Sequence, residues 1–171
     1  MTEEEKEEKK ESKPKVKPPA KEEEKLKAEL EKAFGANVEI GIPRPKRMFI
    51  KVKPGDHRKV IQWMKDNWDL QHVTTITGVD KGETFEVIYH LYKYQGYRTY
   101  PSVKTEIPKK NPKIETIVDI LPAATFYERE AHDLLGIVFE NHPNLTRLIL
   151  PDDWPEGVYP LRKDWLPEGV E

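Results

Sequence analysis

Residues 83–94, ETFEVIYHLYKY, restrict the possible folds more than any other part of the chain. Phe85, Val87, Tyr89 and Leu91 alternate with Glu86, Ile88, His90 and Tyr92, which is the period of a strand, and the run is rich in aromatic and β-branched side chains. So long a strand asks for paired neighbours, and the flanking segments supply them in the order of a meander. Residues 71–79 (QHVTTITGV) read as the preceding strand, with Lys81-Gly82 as the turn, and Gln95-Gly96 turns the chain towards a further strand over 103–107. Upstream, Val38, Ile40 and Ile42 alternate, Pro43 and Pro45 interrupt, and Met48, Ile50 and Val52 alternate again, which predicts two strands joined by a proline-rich turn.

Three helices are expected between these strands. Leu26, Leu30, Ala33 and Phe34 recur at helical spacing over 21–34, with Gly35 as the stop. After Pro54-Gly55, Asp56 reads as an N-cap, and Val60, Ile61, Met64 and Trp68 share one face of a helix over 57–67. Residues 108–115 read as a loop, and the apolar run 117–121 ends at Pro122. Thr125-Phe126-Tyr127-Glu128 then has the form of a capping box, with Thr125 as the cap and Glu128 reaching back to its N–H. That third helix ends at Gly136, buries Tyr127, Ala131, Leu134 and Leu135, and pairs Arg129 with Asp133 on an exposed face. These elements predict an α+β chain, a mostly antiparallel sheet with helices packed on one face and an extended, proline-rich C-terminal arm. Residues 1–20 read as a charged tail, disordered or ordered by a partner, 21–150 as one domain, and 151–171 as the arm.

Composition excludes several kinds of chemistry. The chain of 171 residues has no Cys, so it holds no thiolate nucleophile and no Cys-ligated zinc or iron–sulfur cluster of its own. Lys and Arg number 29 against 31 Asp and Glu, and the signs are interleaved, unlike the one-sided footprint of a nucleic-acid binder. No apolar run approaches a bilayer span, so a cytosolic or cytosol-facing chain is expected. High Lys and Glu content with 15 Pro and 3 Met matches the habit of proteins from hot environments.

The cluster Glu128-Arg129-Glu130-Ala131-His132-Asp133 invites a catalytic reading, in which Glu128, Glu130 and His132 do acid–base or metal work in a free-standing enzyme. Its spacing lacks the repeated Glu-x-x-His of carboxylate metal bundles and the H-E-x-x-H of metalloproteases. Caps, ion pairs or partner contacts are the other use of such a face. The arm carries Trp154, Val158, Tyr159, Leu161, Trp165 and Leu166 among prolines, and aromatics so placed need either the chain's own body or a partner to lie on; a partner is the reading adopted.

Glu128-Arg129-Glu130, Asp133, Leu134-Leu135, His142 and Arg147, followed by PLRKDW at 160–165, resemble the signature of the 30-kilodalton subunit of respiratory complex I and its relatives in membrane-bound hydrogenases. The likeness extends over roughly 38–165, and Thr146 departs from it where many members carry a second Arg. LILPDDWPEGVYPLRKD is most similar to archaeal membrane-bound hydrogenase and sulfane sulfur reductase complexes. The resemblance implies a subunit without cofactor or catalytic residue, on the cytoplasmic side of the membrane. It would brace a Ni–Fe-hydrogenase-like large subunit and an iron–sulfur small subunit, which carry the redox centres between ferredoxin and sulfane sulfur or protons. A quinone-reducing, NADH dehydrogenase-like complex is the alternative setting. It also implies that Glu128, Arg129, Glu130, Asp133, His142, Arg147, Trp154, Tyr159, Arg162, Lys163, Asp164 and Trp165 face subunit interfaces.

Overall fold

The computed structural model describes residues 21–93 and 99–166; the tail over 1–20, the turn expected at Gln95-Gly96 and residues 167–171 lie outside them. Helices α1 (Lys21–Phe34), α2 (Asp56–Trp68) and α3 (Ala124–Leu135) alternate with strands β1 (Val38–Arg44), β2 (Arg47–Val52), β3 (His72–Asp80), β4 (Thr84–Tyr92), β5 (Tyr100–Pro108), β6 (Lys113–Glu115) and β7 (Val138–Glu140). The main sheet has the order β1-β2-β5-β4-β3 and is antiparallel throughout except between β2 and β5. The expected α+β class and mostly antiparallel sheet are what the chain forms.

Register explains why the helices gather on one side. Ile40, Ile50, Val103, Tyr89 and Ile76 are successive partners across the five strands, so their side chains line one face. α2 lies on that face, where the His57 ring stacks on Tyr89 with centroids 5.5 Å apart. α3 lies on it too: Leu135 packs so closely over Gly78 of β3 that an added Cβ would collide with its Cδ1 and force that side chain to shift. The opposite face is more polar, with Lys51, Lys81 and Lys104 meeting Glu86 and Glu106 at 2.8 to 3.9 Å beside buried Ile88 and Ser102. The most exposed of these, Lys51 with Glu106, contributes about 1 kcal/mol or less.

Four local expectations are corrected. The segment 108–115 is not wholly loop, because buried Ile114 pairs with Phe139 and makes β6 and β7 a short parallel ladder. Asp56 is the first helical residue and Gly55, at φ 89°, takes the N-cap position. The capping box does not form: Ala123 occupies the cap position without a side-chain bond, and the Thr125 hydroxyl donates to the Pro122 carbonyl at 2.8 Å. Arg129 and Asp133 do not pair on an exposed face; Asp133 is buried, and each turns to backbone groups of the following loop.

Candidate functional site

Glu128 projects into the interior and is wholly buried. Its carboxylate accepts the Thr116 hydroxyl and, at 2.9 Å, the N–H of Ile117. Burial pushes this carboxyl up to about 7, against the opposing pull of those two bonds and of the Arg58 guanidinium. Arg58 makes a fork to Asp119 with both contacts at 2.7 Å and also donates to the Thr116 carbonyl. One polar clasp therefore ties α2, residues 116–119 and α3 together.

Asp133, five residues further along α3, has a different environment. A single oxygen, Oδ2, accepts the N–H groups of Leu148, Ile149 and Leu150 at 3.1, 2.8 and 2.9 Å. Burial opposes its ionisation, yet these three donors and the nearby Arg147 hold it below the usual carboxylate range. Arg129 works on the same loop from the other side, donating to the carbonyls of Thr146 and Arg147 at 3.0 and 2.5 Å. Arg147 in turn donates to the Pro151 carbonyl at 2.9 Å. His142 receives the Asn144 N–H at 3.1 Å on Nδ1 and meets the Thr125 carbonyl with Nε2 at 3.2 Å. The charged groups of the signature thus hold residues 142–151 in one shape.

Glu130 is exposed whereas Glu128 is buried, and the Nδ1 of His132 meets the Ile137 carbonyl at 2.9 Å. The fold does not gather Glu128, Glu130 and His132 around one point. Among the described residues no group of three or more His, Asp or Glu is placed to hold a metal ion, and no helix is long and apolar enough to cross a membrane.

The arm runs over the body as successive turns closed by Trp154 to Pro151, Val158 to Pro155, Arg162 to Tyr159 and Trp165 to Arg162. Leu161 N–H donates to the Leu134 carbonyl at 3.2 Å, and Arg162 Nε donates to the Leu135 carbonyl at 2.7 Å. The Arg162 guanidinium lies 4.2 Å from the Tyr159 ring centroid. Both residues crowd Gly136, which has φ 74° and would place a Cβ 2.5 Å from Tyr159. Trp154 and Trp165 meet with centroids 6.1 Å apart, and a groove of about 290 Å³ opens between His132, Arg147, Trp154 and Tyr159.

Asp80, at the end of β3, is the residue that sequence reasoning passed over. Its carboxylate accepts Gly82 N–H at 2.7 Å, Lys109 Nζ at 2.7 Å and Lys163 N–H at 2.9 Å. Burial works against the charge, but Lys109 and the two backbone donors prevail and hold the group at about 2. Asp164 adds a contact to Lys109 at 3.2 Å, so Lys163 and Asp164 are anchored to the sheet. The only sequence signal was an Asp two residues before the Lys81-Gly82 turn glycine, the pattern of an Asx turn.

Apolar groups on the surface are unevenly distributed. Among the described residues, the large apolar side chains left exposed are Val79, Phe126, Leu148, Ile149, Leu161 and Leu166. All but Val79 belong to α3, the loop it holds, or the arm.

Comparison with known proteins gives concordant matches. The family model described as the 30 Kd subunit of respiratory-chain NADH dehydrogenase matches residues 50–170. A subunit of the F(420)H(2) dehydrogenase of Methanosarcina mazei is 36% identical over 129 residues, spanning 74% of this chain and 80% of that protein. A subunit of the NADH-quinone oxidoreductase of Roseiflexus castenholzii is 35% identical over 127 residues, spanning 71% of each. Among solved structures, a chain of the membrane-bound sulfane sulfur reductase, an archaeal respiratory membrane complex, matches with a TM-score of 0.76 and 33% identity, over 87% of this chain and 88% of that one.

Proposed function

Because the chain belongs to the family of the respiratory-chain NADH dehydrogenase 30 Kd subunit, we propose that it is a cofactor-free structural subunit of a membrane-bound, ion-translocating oxidoreductase complex. In this reading it sits on the cytoplasmic side and braces a Ni–Fe-hydrogenase-like large subunit and an iron–sulfur small subunit. Electrons pass through those neighbours from ferredoxin to sulfane sulfur or protons. The likeness to a chain of the sulfane sulfur reductase at 33% identity supports that choice of acceptor. The likeness to a quinone oxidoreductase subunit at 35% identity favours a quinone-linked complex as the second reading.

The observation that carries the bracing role is the gathering of exposed Phe126, Leu148, Ile149, Leu161 and Leu166 within residues 126–166, about a quarter of the chain. Arg129, Asp133 and Arg147 are consumed in holding the backbone of residues 146–151, so the apolar groups of that loop are presented on a preset surface rather than on a mobile one. The test is co-purification from the native membrane with the tagged chain, followed by identification of the retained subunits. Phe126→Glu and Ile149→Glu should each lower affinity for the large subunit by roughly 30-fold, the factor that corresponds to an anchor contributing about 2 kcal/mol. Unchanged retention by the folded variants, or turnover by the chain alone, would overturn the reading.

A further inference from the structure

Four buried side-chain atoms find no hydrogen-bond partner among the described residues: Thr99 Oγ1 and, in the core, Tyr89 Oη, Thr105 Oγ1 and His57 Nδ1. Buried polar atoms of native proteins are nearly always satisfied, by protein or by ordered water. The last three sit on elements that pack together. Tyr89 pairs with Val103 and Thr105 with Val87, so the two side chains stand on the helix-facing side of adjacent strands, two residues apart along the ladder. His57, in the first turn of α2, stacks on the Tyr89 ring at an interplanar angle of 13°. Glu128 and Arg58 of the clasp are near enough for their charges to act on the Tyr89 hydroxyl.

The bonding requirement of each atom follows from its surroundings. Nε2 of His57 lies 3.0 Å from the Glu115 carbonyl, which requires the proton on Nε2. Burial holds the ring neutral, so Nδ1 is a bare acceptor. The hydroxyls of Tyr89 and Thr105 each have a proton to donate. Tyr89 does not satisfy His57 directly: in near-parallel stacked rings the O–H and the nitrogen lone pair lie in separate planes and do not point at one another. What fits is a small molecule that accepts from a hydroxyl and donates to an imidazole at the same time, and water does both. We propose that the core contains a structural water site bounded by Tyr89 Oη, Thr105 Oγ1 and His57 Nδ1, next to the Glu128 clasp.

The experiment is oxygen-17 relaxation dispersion on the full chain, which counts internal waters that exchange slowly with bulk. Tyr89→Phe keeps the ring and its stack on His57 while deleting the hydroxyl, and Thr105→Val deletes the second donor. The unaltered chain is expected to hold at least one slowly exchanging water that is lost or greatly accelerated in either variant. Should the variants fail to fold, an experimental density map of the unaltered chain at a resolution that orders waters decides, with a peak expected at about 2.7–3.2 Å from Tyr89 Oη and His57 Nδ1. A count of zero in the unaltered chain, an unchanged count in the folded variants, or a map in which the three atoms bond to protein groups would overturn the proposal.

Discussion

Glu128→Gln should make the chain more stable at neutral pH and leave it almost unchanged in acid. The wild-type carboxyl is wholly buried and pushed up to about 7, from an ordinary value of 4.5. Its folded value therefore lies above its unfolded one, so the folded chain binds more protons between the two, and stability falls as pH rises through that window. With about 1.4 kcal/mol for each pH unit separating the values, ionised Glu128 costs the fold about 3 kcal/mol at pH 8. Glutamine keeps an acceptor for Ile117 N–H and can donate its amide to the Thr116 hydroxyl, so the clasp survives without the buried charge. Urea melts of both proteins at several pH values between about 4 and 8, followed by tryptophan fluorescence, measure the difference directly. It should be near zero at the acid end, grow between about pH 4.5 and 7, and level off at about 3 kcal/mol. A difference that is flat, or that turns against the variant as pH rises, would show that Arg58 and the Ile117 N–H stabilise the carboxylate more than burial penalises it.

Asp80→Ala should release the arm. The folded value of about 2 lies below the ordinary 3.8, so this carboxylate contributes about 2 kcal/mol that is present above pH 4 and lost as pH falls through 2; the check is accelerated tryptic cleavage after Arg162 or Lys163 at neutral pH. Gly78→Ala should cost about 1–3 kcal/mol by pushing the Leu135 side chain out of its packed position, and Leu135→Ala in the same chain should recover part of that loss in thermal melts.

Much of the architecture was readable because it is encoded by local periodicity. The alternation in β1, β2 and β4, and the apolar faces of α1 and α2, were legible residue by residue. The roles of the charged residues on α3 were not, although the motif itself was plain. Spacing allows Arg129 and Asp133 to pair, but the carbonyls at 146–147 and the N–H groups at 148–150 are geometrically better partners, and nothing within a helical turn announces them. Thr125 and Glu128 have the spacing of a cap, yet the turn ending at Pro122 already receives the first helical bonds and frees Glu128 to turn inward. β6 and β7 escaped notice because each is three residues long and its partner is remote in sequence. The arm's aromatics ask for a surface and were read as asking for a partner's, whereas hydrogen bonds hold residues 161–163 on the chain's own body.

The parallel pairing of β2 with β5 gives the domain an unequal assembly history. Every other contact of the main sheet joins strands adjacent in sequence, whereas Arg47 finds Tyr100 across about fifty intervening residues. The meander of β3, β4 and β5 can form early from short loops, while α1, β1 and β2 must wait as a separate unit for that seam to close. In the finished protein the same seam is the plane along which the N-terminal unit would peel away first, and hydrogen exchange should show the amides of residues 47–52 opening together with those of α1.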